Sequence, residues 1–371
     1  MHEQELIPLT QAVLWSAFAA AAVFGAVAQR THFCTMGAIA DIVNMGDWTR
    51  MRMWVLAIAV AVIGFNAMVG AGWIKASDSL YAEPSLMWLS LLVGGLMFGF
   101  GMVLASGCGS KNLVRAGAGN LKAWVVLLVL GMSAFATLKG ITAVLRVATV
   151  DRATIDLTPA QDLPSLLAAA TGVGTPVAAL GLGLVLGTGL LAWVLRSPDG
   201  RTPMVWLGGA GIGAMVVLMW WISGRLGFVA EHPLTLEASF LATNSRRMES
   251  LSMVAPVGFA LDWLLFFSDK AKLLTIGIVS MAGVIAGSAA MALASREFRW
   301  EGFGNVEDTA NHLAGATLMG VGGVTAMGCT IGQGLSGVST LSLGSLLALV
   351  AIVCGALAAL RYQIWRIDRM A

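Results

Sequence analysis

GFGMVLASGC spans residues 99–108 and GVGGVTAMGC spans residues 320–329, and this pair decides how the rest of the chain is read. Six of the ten positions are identical at a constant offset of 221: Gly99/Gly320, Gly101/Gly322, Val103/Val324, Ala105/Ala326, Gly107/Gly328 and Cys108/Cys329. The chain has only four cysteines, so a match that closes on cysteine in both copies is not an accident of composition. Each copy ends an apolar stretch and interrupts it with glycine. Two copies of one unit facing a shared site is a common construction for transporters.

The surrounding chain is built for lipid. Hydrophobic residues make up 58% and charged residues 11%, with mean hydropathy +0.83, whereas soluble domains carry roughly 25% charged residues. Candidate crossings are 11–29, 53–73, 86–106, 121–142, 174–195, 204–222, 250–267, 273–294, 311–327 and 340–361. They reach or approach the roughly 20 apolar residues that span a bilayer core. With some as half-spans, the chain is expected to be an all-α polytopic membrane protein of about nine to ten crossings. The leading His2, Glu3, Gln4 and Glu5 lack a cationic n-region, so the first stretch reads as a span rather than a signal peptide. Net charge is +2 without a basic run, which points away from nucleic acid. Arg361, Arg366 and Arg369 after the last span predict a cytoplasmic C-terminus.

The longest interruption, about 143–173, falls between the two copies, and a loop of that length marks a boundary rather than the inside of a compact unit. The expected organisation is an N-terminal repeat (1–150), a linker (151–173) and a C-terminal repeat (174–371). A fainter match at offset 195 pairs Arg30 with Arg225, Phe33 with Phe228, Arg52 with Arg247 and Met53 with Met248. In that scheme Val229 occupies the position of Cys34.

Glycines 94, 95, 99 and 101, like 315, 320, 322 and 323, recur at small spacings that let helix backbones approach in lipid. Beyond them, GCGSKNLVRAGAGN (107–120) and GCTIGQGLSG (328–337) are poor continuous helix. Unwound backbone at membrane depth is tolerated only where protein or a water-filled cavity satisfies it. A helix restarting there points free N–H groups and partial positive charge at the cavity. The expectation is two pseudo-symmetric repeats whose short broken half-helices form a central constriction. Cys34, Cys108, Cys329 and Cys354 contain no C-x-x-C pair, and no ligands gather at metal-site spacing, so neither cofactor nor metal is expected.

RTHFCTMGAIAD (30–41), FGFGMVLASGCGSKNLVRAGAGNL (98–121), MGVGGVTAMGCTIGQGLSG (319–337) and LSLGSLLAL (341–349) resemble the YeeE/YedE family of sulfur-transport membrane proteins over nearly the whole chain. The resemblance implies an inner-membrane protein with inverted internal pseudo-symmetry that imports thiosulfate, a small anion, along single cysteines in a narrow waist. Motif by motif, these are Cys34, Cys108 and Cys329, flanked by Gly107, Gly109 and Gly328. It also implies a TusA-like cytoplasmic sulfurtransferase as partner, while other members are linked to selenium metabolism. Gly109 and Lys111 depart from the expected pattern, which bears on substrate identity more than on transport.

The chemistry suits that role. Thiosulfate is a dianion with a soft terminal sulfur; a thiol is a weak donor and acceptor, and conduction needs contacts loose enough to release. The thiols must stay protonated, because a thiolate would repel the anion. Arg30 and Lys111, with Arg115, stand beside the motifs and are candidates to recruit an anion, although cations at helix ends often snorkel. Asp262 and Lys139 interrupt apolar stretches, and either sits in the path, lies at a span end or has a counter-charge. His32 and His312 read as hydrogen-bonded structural histidines, and Cys354 as packing inside an apolar span. The rivals are a carrier for another soft species, metal or metalloid, and a membrane thiol-redox protein.

Overall fold

The computed structural model describes residues 3–233, 236–269 and 272–370, and structural statements below refer to these. His2 of the leading segment lies outside them. Fourteen α-helices are present among them: α1 (Glu3–Thr31), α2 (Thr35–Met45), α3 (Thr49–Gly70), α4 (Trp88–Leu104), α5 (Gly109–Gly117), α6 (Leu121–Lys139), α7 (Ile141–Ala148), α8 (Leu163–Thr171), α9 (Thr175–Leu195), α10 (Pro203–Trp221), α11 (Ala255–Leu265), α12 (Ile276–Ala294), α13 (Val306–Thr325) and α14 (Leu343–Met370). The long helices are apolar on every side, as lipid- and core-facing helices are. Eight helical segments are long and apolar enough to cross a membrane. This is a polytopic helical membrane protein.

Two of the candidate crossings take a different form. The stretch 250–267 contains only the eleven-residue α11, because Pro256 starts that helix late. The stretch 311–327 belongs to the twenty-residue α13, whose first turns carry Glu307, Asp308 and His312. The segment after residue 140 holds α7 and α8, and a two-residue strand, β2 (Ile155–Asp156), pairs antiparallel with β1 (Ser85–Leu86). A second small pair, β3 (Phe228–Val229) with β4 (Ser239–Phe240), lies between α10 and α11.

Glycine sets the closest helix contacts. A Cβ at Gly94 would stand 2.7 Å from the Gly322 carbonyl oxygen, and one at Gly101 2.7 Å from that of Gly315. The reverse holds as well, Gly322 against Gly94 and Gly315 against Gly101, so α4 and α13 meet backbone to backbone along an antiparallel seam. Gly99 packs on Ile352 and Ala356 of α14, and Gly320 on Leu130 and Ala134 of α6. Gly283 and Gly287 of α12 receive Phe18 and Ala22 of α1. These small-residue contacts replace the hydrophobic drive that lipid cannot supply.

Ion pairs identify one face of the bundle. Arg366 at the end of α14 pairs with Glu307 at 2.9 Å, Lys122 with Asp308 at 2.8 Å, and Arg52 with Asp199 at 3.8 Å. Gln29 at the end of α1 donates to Glu297 past the end of α12 at 3.1 Å. The C-terminus therefore shares this face with the ends of α1, α5 and α12 and the starts of α3 and α13. It also carries Arg30, Arg50, Arg115, Arg296, Arg299 and Arg361. The opposite face is made by segments 71–87, 140–163, 227–233 and 236–254.

Candidate functional site

Three helices break in the same way. At the end of α1, His32 N–H donates to Gln29 O and Phe33 N–H to Ala28 O. At the end of α4, Ser106 donates to Val103 O and Gly107 to Met102 O; at the end of α13, Met327 donates to Val324 O and Gly328 to Gly323 O. Each is a Schellman closure. The residue in the left-handed region is not glycine in any of them: φ is 52° at His32, 54° at Ser106 and 55° at Met327. Two residues after each comes a cysteine, and a helix restarts.

Cys34 is the N-cap of α2, with Gly37 N–H donating to its Sγ at 3.3 Å. Cys108 is the N-cap of α5, with Sγ 3.2 Å from the Ser110 hydroxyl. Cys329 precedes a π-helical turn, Gly332–Gly337, and accepts from Gly332 N–H at 3.4 Å. The backbone amides of Met253 and Ile331 also face its sulfur. All three thiols are buried, and Cys108 lies within electrostatic reach of both others. A fourth start joins them: Met253, just ahead of α11, lies with its carbonyl 3.0 Å from where a Cβ at Gly109 would be. Partial positive charge from four helical starts thus surrounds the three thiols.

The breaks are satisfied from within. Asn112 Nδ2 donates to Gly107 O at 2.9 Å and Cys108 O at 3.1 Å, and Gln333 Nε2 donates to Ala326 O at 2.6 Å. Arg115 caps the Ser106 carbonyl at 3.1 Å. Asn112→Leu or Gln333→Leu leaves carbonyls unpaired at membrane depth, a cost of ~1–3 kcal/mol each. Thermal unfolding of the purified variants in detergent should show both melting below the parent, and melting at parental temperature would refute the carbonyl-satisfying role.

Gly107, Gly109 and Gly328 stand where a Cβ would come within 3.0 Å of Lys111 Cγ, Met253 O and Gln333 Cγ respectively, so the packing around the breaks leaves little room for a side chain at any of the three. Lys111 is partly buried within reach of Cys34 and Cys108, and it makes no ion pair among the described residues. Arg30 is exposed on the C-terminal face. Near it, the Arg50 guanidinium lies over Gly37 and pairs with Asp41 at 2.9 Å. His32 closes the first break, with Lys111, Glu297, Arg50 and Arg30 within electrostatic reach.

Other expectations resolve outside the constriction. Lys139 and Asp262 pair with each other at 2.9 Å, and Lys272 joins Asp262 at 2.7 Å, at the ends of α6 and α11. His312 Nδ1 lies 2.7 Å from Asp308 O, a structural contact. Cys354 corrects the expectation of packing: it is exposed on α14, since a helix apolar on all sides gives no sequence signal for its lipid face. Of the offset-195 pairs, Arg30 and Arg225 both end helical segments. Arg52 and Arg247 do not correspond, one lying in the first turn of α3 and the other in a loop.

Further site residues come from inside the cysteine motifs and from segments that carry none. Thr35 and Thr330, each following a cysteine, are buried with hydroxyls that make no hydrogen bond. Tyr81 and Ser252 bring hydroxyls to Gly332, beside Cys329. Burial pushes the Tyr81 hydroxyl up from its ordinary range, so it remains a donor. A cavity of about 330 Å³ on the face opposite the C-terminus leads to Gly323, Val324 and Met327, and Tyr81, Arg146, Ser245, Glu249 and Ser252 also line it.

Comparison with known proteins follows the same blocks. A family model described as "Sulphur transport" matches residues 30–358. The chain is 26% identical over 343 residues to the "Thiosulfate transporter TsuA" of Escherichia coli (strain K12), covering 90% of each. It is 26% identical over 351 residues to the "Thiosulfate transporter TsuA" of Spirochaeta thermophila, covering 92% of this chain and 97% of that one. A shorter similarity, 32% over 105 residues, links 28% of the chain to 24% of the "Probable transporter YedE" of Escherichia coli (strain K12). With the family match spanning all three cysteine breaks on a bundle of membrane-crossing helices, the chain belongs to the sulphur transport family and is a multi-pass membrane transporter.

Proposed function

We propose that the protein imports thiosulfate, handing it from Cys329 to Cys108 to Cys34. The observation that carries this reading is that each thiol is held at the start of a helical segment, with Cys108 in reach of both others. Helix N-termini favour an anion, neutral thiols give the terminal sulfur weak and reversible contacts, and the free hydroxyls of Thr35 and Thr330 offer donors to its oxygens. The similarity to two thiosulfate transporters over nine-tenths of the chain supports the substrate.

In this reading the two halves, 1–150 and 174–371 joined by 151–173, are inverted repeats. The seam between α4 and α13 supports it. At the offset of 221, Gly94 corresponds to Gly315 and Gly101 to Gly322, and the observed contacts are Gly94 with Gly322 and Gly101 with Gly315. Such exchange of partners is what a two-fold axis produces. The cationic C-terminal face fits the cytoplasmic side by the positive-inside rule; in this reading the protein sits in an inner membrane, and a TusA-like sulfurtransferase has access to the Cys34 side.

The test is uptake of radiolabelled thiosulfate by a transport-deficient host, with sulfate, sulfite and selenite as competitors. Saturable uptake that resists sulfate supports the reading; its absence despite good membrane expression refutes it. Lys111 and Arg30 act as anion attractors at the inner mouth. Lys111→Met should lower uptake about three- to tenfold and weaken its dependence on ionic strength, as loss of one focused charge does. An unchanged salt dependence would assign the lysine to packing alone.

A further inference from the structure

Glu249 lines the cavity on the face opposite the C-terminus, which in the thiosulfate reading is the outer mouth. Ser245 donates to its Oε1 twice, from the backbone N–H at 2.8 Å and from the hydroxyl. The Ser245 oxygen itself accepts Arg247 N–H at 3.2 Å, so the serine proton is committed to Oε1. The Asn244 backbone also donates to the carboxylate, and Oε2, which accepts neither Ser245 bond, is the atom to take a proton. The nearby cations are engaged elsewhere: Arg146 Nε lies 3.1 Å from Asp151, and Arg247 lies 3.3 Å from Glu83. Among the described residues no lysine or arginine pairs with Glu249. The groups around it are Tyr81 and Glu83 from segment 71–87, Arg146 from α7, Asn244 and Ser245 from its own segment, and Cys329 beyond Tyr81.

An ionised carboxylate and a dianion repel each other strongly at contact distance in a half-enclosed cavity. A neutral carboxyl reverses the interaction, because its Oε2–H donates to an anion oxygen beside the Arg146, Tyr81 and Ser252 donors. We propose that the outer cavity is a site where a divalent oxyanion and a proton bind together, with Glu249 as the proton's seat, so that uptake is proton-linked. The proposal rests on the thiosulfate reading for its anion. Burial independently raises Glu249 above the ordinary carboxylate range, with the hydrogen bonds from Ser245 and the Asn244 backbone opposing. Linkage is reciprocal: the proton favours the anion, and the anion draws a proton from solution.

The experiment is thiosulfate binding to the purified full-length protein, followed by calorimetry in buffers of different protonation enthalpy. Uptake in proteoliposomes is measured across external pH. Above the midpoint the parent should take up as much as one proton per anion, and KM should rise there up to about tenfold per pH unit. Glu249→Gln keeps the Ser245 acceptor, and should bind with proton uptake near zero and a flat KM profile. Retention of the parental slope and proton count in Glu249→Gln overturns the proposal. Ser245→Ala removes the hydroxyl donor, which favours the ionised form, and keeps the backbone one; it should move the midpoint to higher pH, with the slope retained. An unmoved midpoint counts against Glu249 even if Glu249→Gln fails to fold. Failure of the parent to bind thiosulfate at any pH overturns the substrate reading and, with it, this site; binding without proton uptake overturns only the proton.

Discussion

Cys108→Ser should lower thiosulfate uptake roughly 10- to 100-fold, the size expected for losing one hydrogen bond to a charged group at ~1.5–3 kcal/mol. Cys329→Ser should follow closely. A serine hydroxyl is a stronger donor to oxygen and a poor partner for soft sulfur, so the middle of the path would hold the wrong end of the ion. Cys108 is the more exacting test because it lies within reach of both other thiols. Cys354→Ser, on the lipid-facing side of α14, should leave uptake unchanged. Near-normal transport in both pore variants would end the relay mechanism while leaving the fold intact.

Gly287→Ala should cost most of the folded protein. The added Cβ would stand 1.8 Å from the Ala22 carbonyl oxygen, and at Gly99 the corresponding distance to Ile352 O is 2.0 Å. Both obstacles are backbone, so no side chain can rotate away, and the helices must separate along their length. The penalty should exceed the ~1–3 kcal/mol typical of overpacking. Gly181→Ala and Gly189→Ala on α9 meet nothing within 4 Å and should be neutral or slightly stabilising, since alanine is the better helix former by about 1 kcal/mol. Fluorescence-detected size exclusion of the four variants checks this directly. Equal monodisperse yields would show that the seams yield more easily than their geometry implies.

Much of this was legible in the residues. The pair 99–108 and 320–329 predicts two broken helices of one design, and α4 and α13 do end in the same hydrogen bonds. The lipid-exposed surface follows from composition. What the sequence could not carry is whatever depends on chain reversal. Asn112 and Gln333 sit at the same place in the two copies, yet their task exists only once a left-handed residue has turned the preceding carbonyls toward them. Tyr81, Ser252, Met253 and Glu249 belong to loops far from the cysteines in sequence, and only tertiary packing brings them to Cys329 or its cavity. Likewise the separation of Lys139 and Asp262, 123 residues along the chain, hid their 2.9 Å pairing.

The contrast between the cysteines has a practical side. Three thiols are sealed inside the protein and one looks outward from α14. A hydrophobic maleimide dye should therefore attach once per chain, at Cys354, without engineering and without touching the transport path. Single-molecule photobleaching of that dye would count the copies in each membrane complex, and a sudden rise to several dyes per chain under denaturant would report the opening of the bundle.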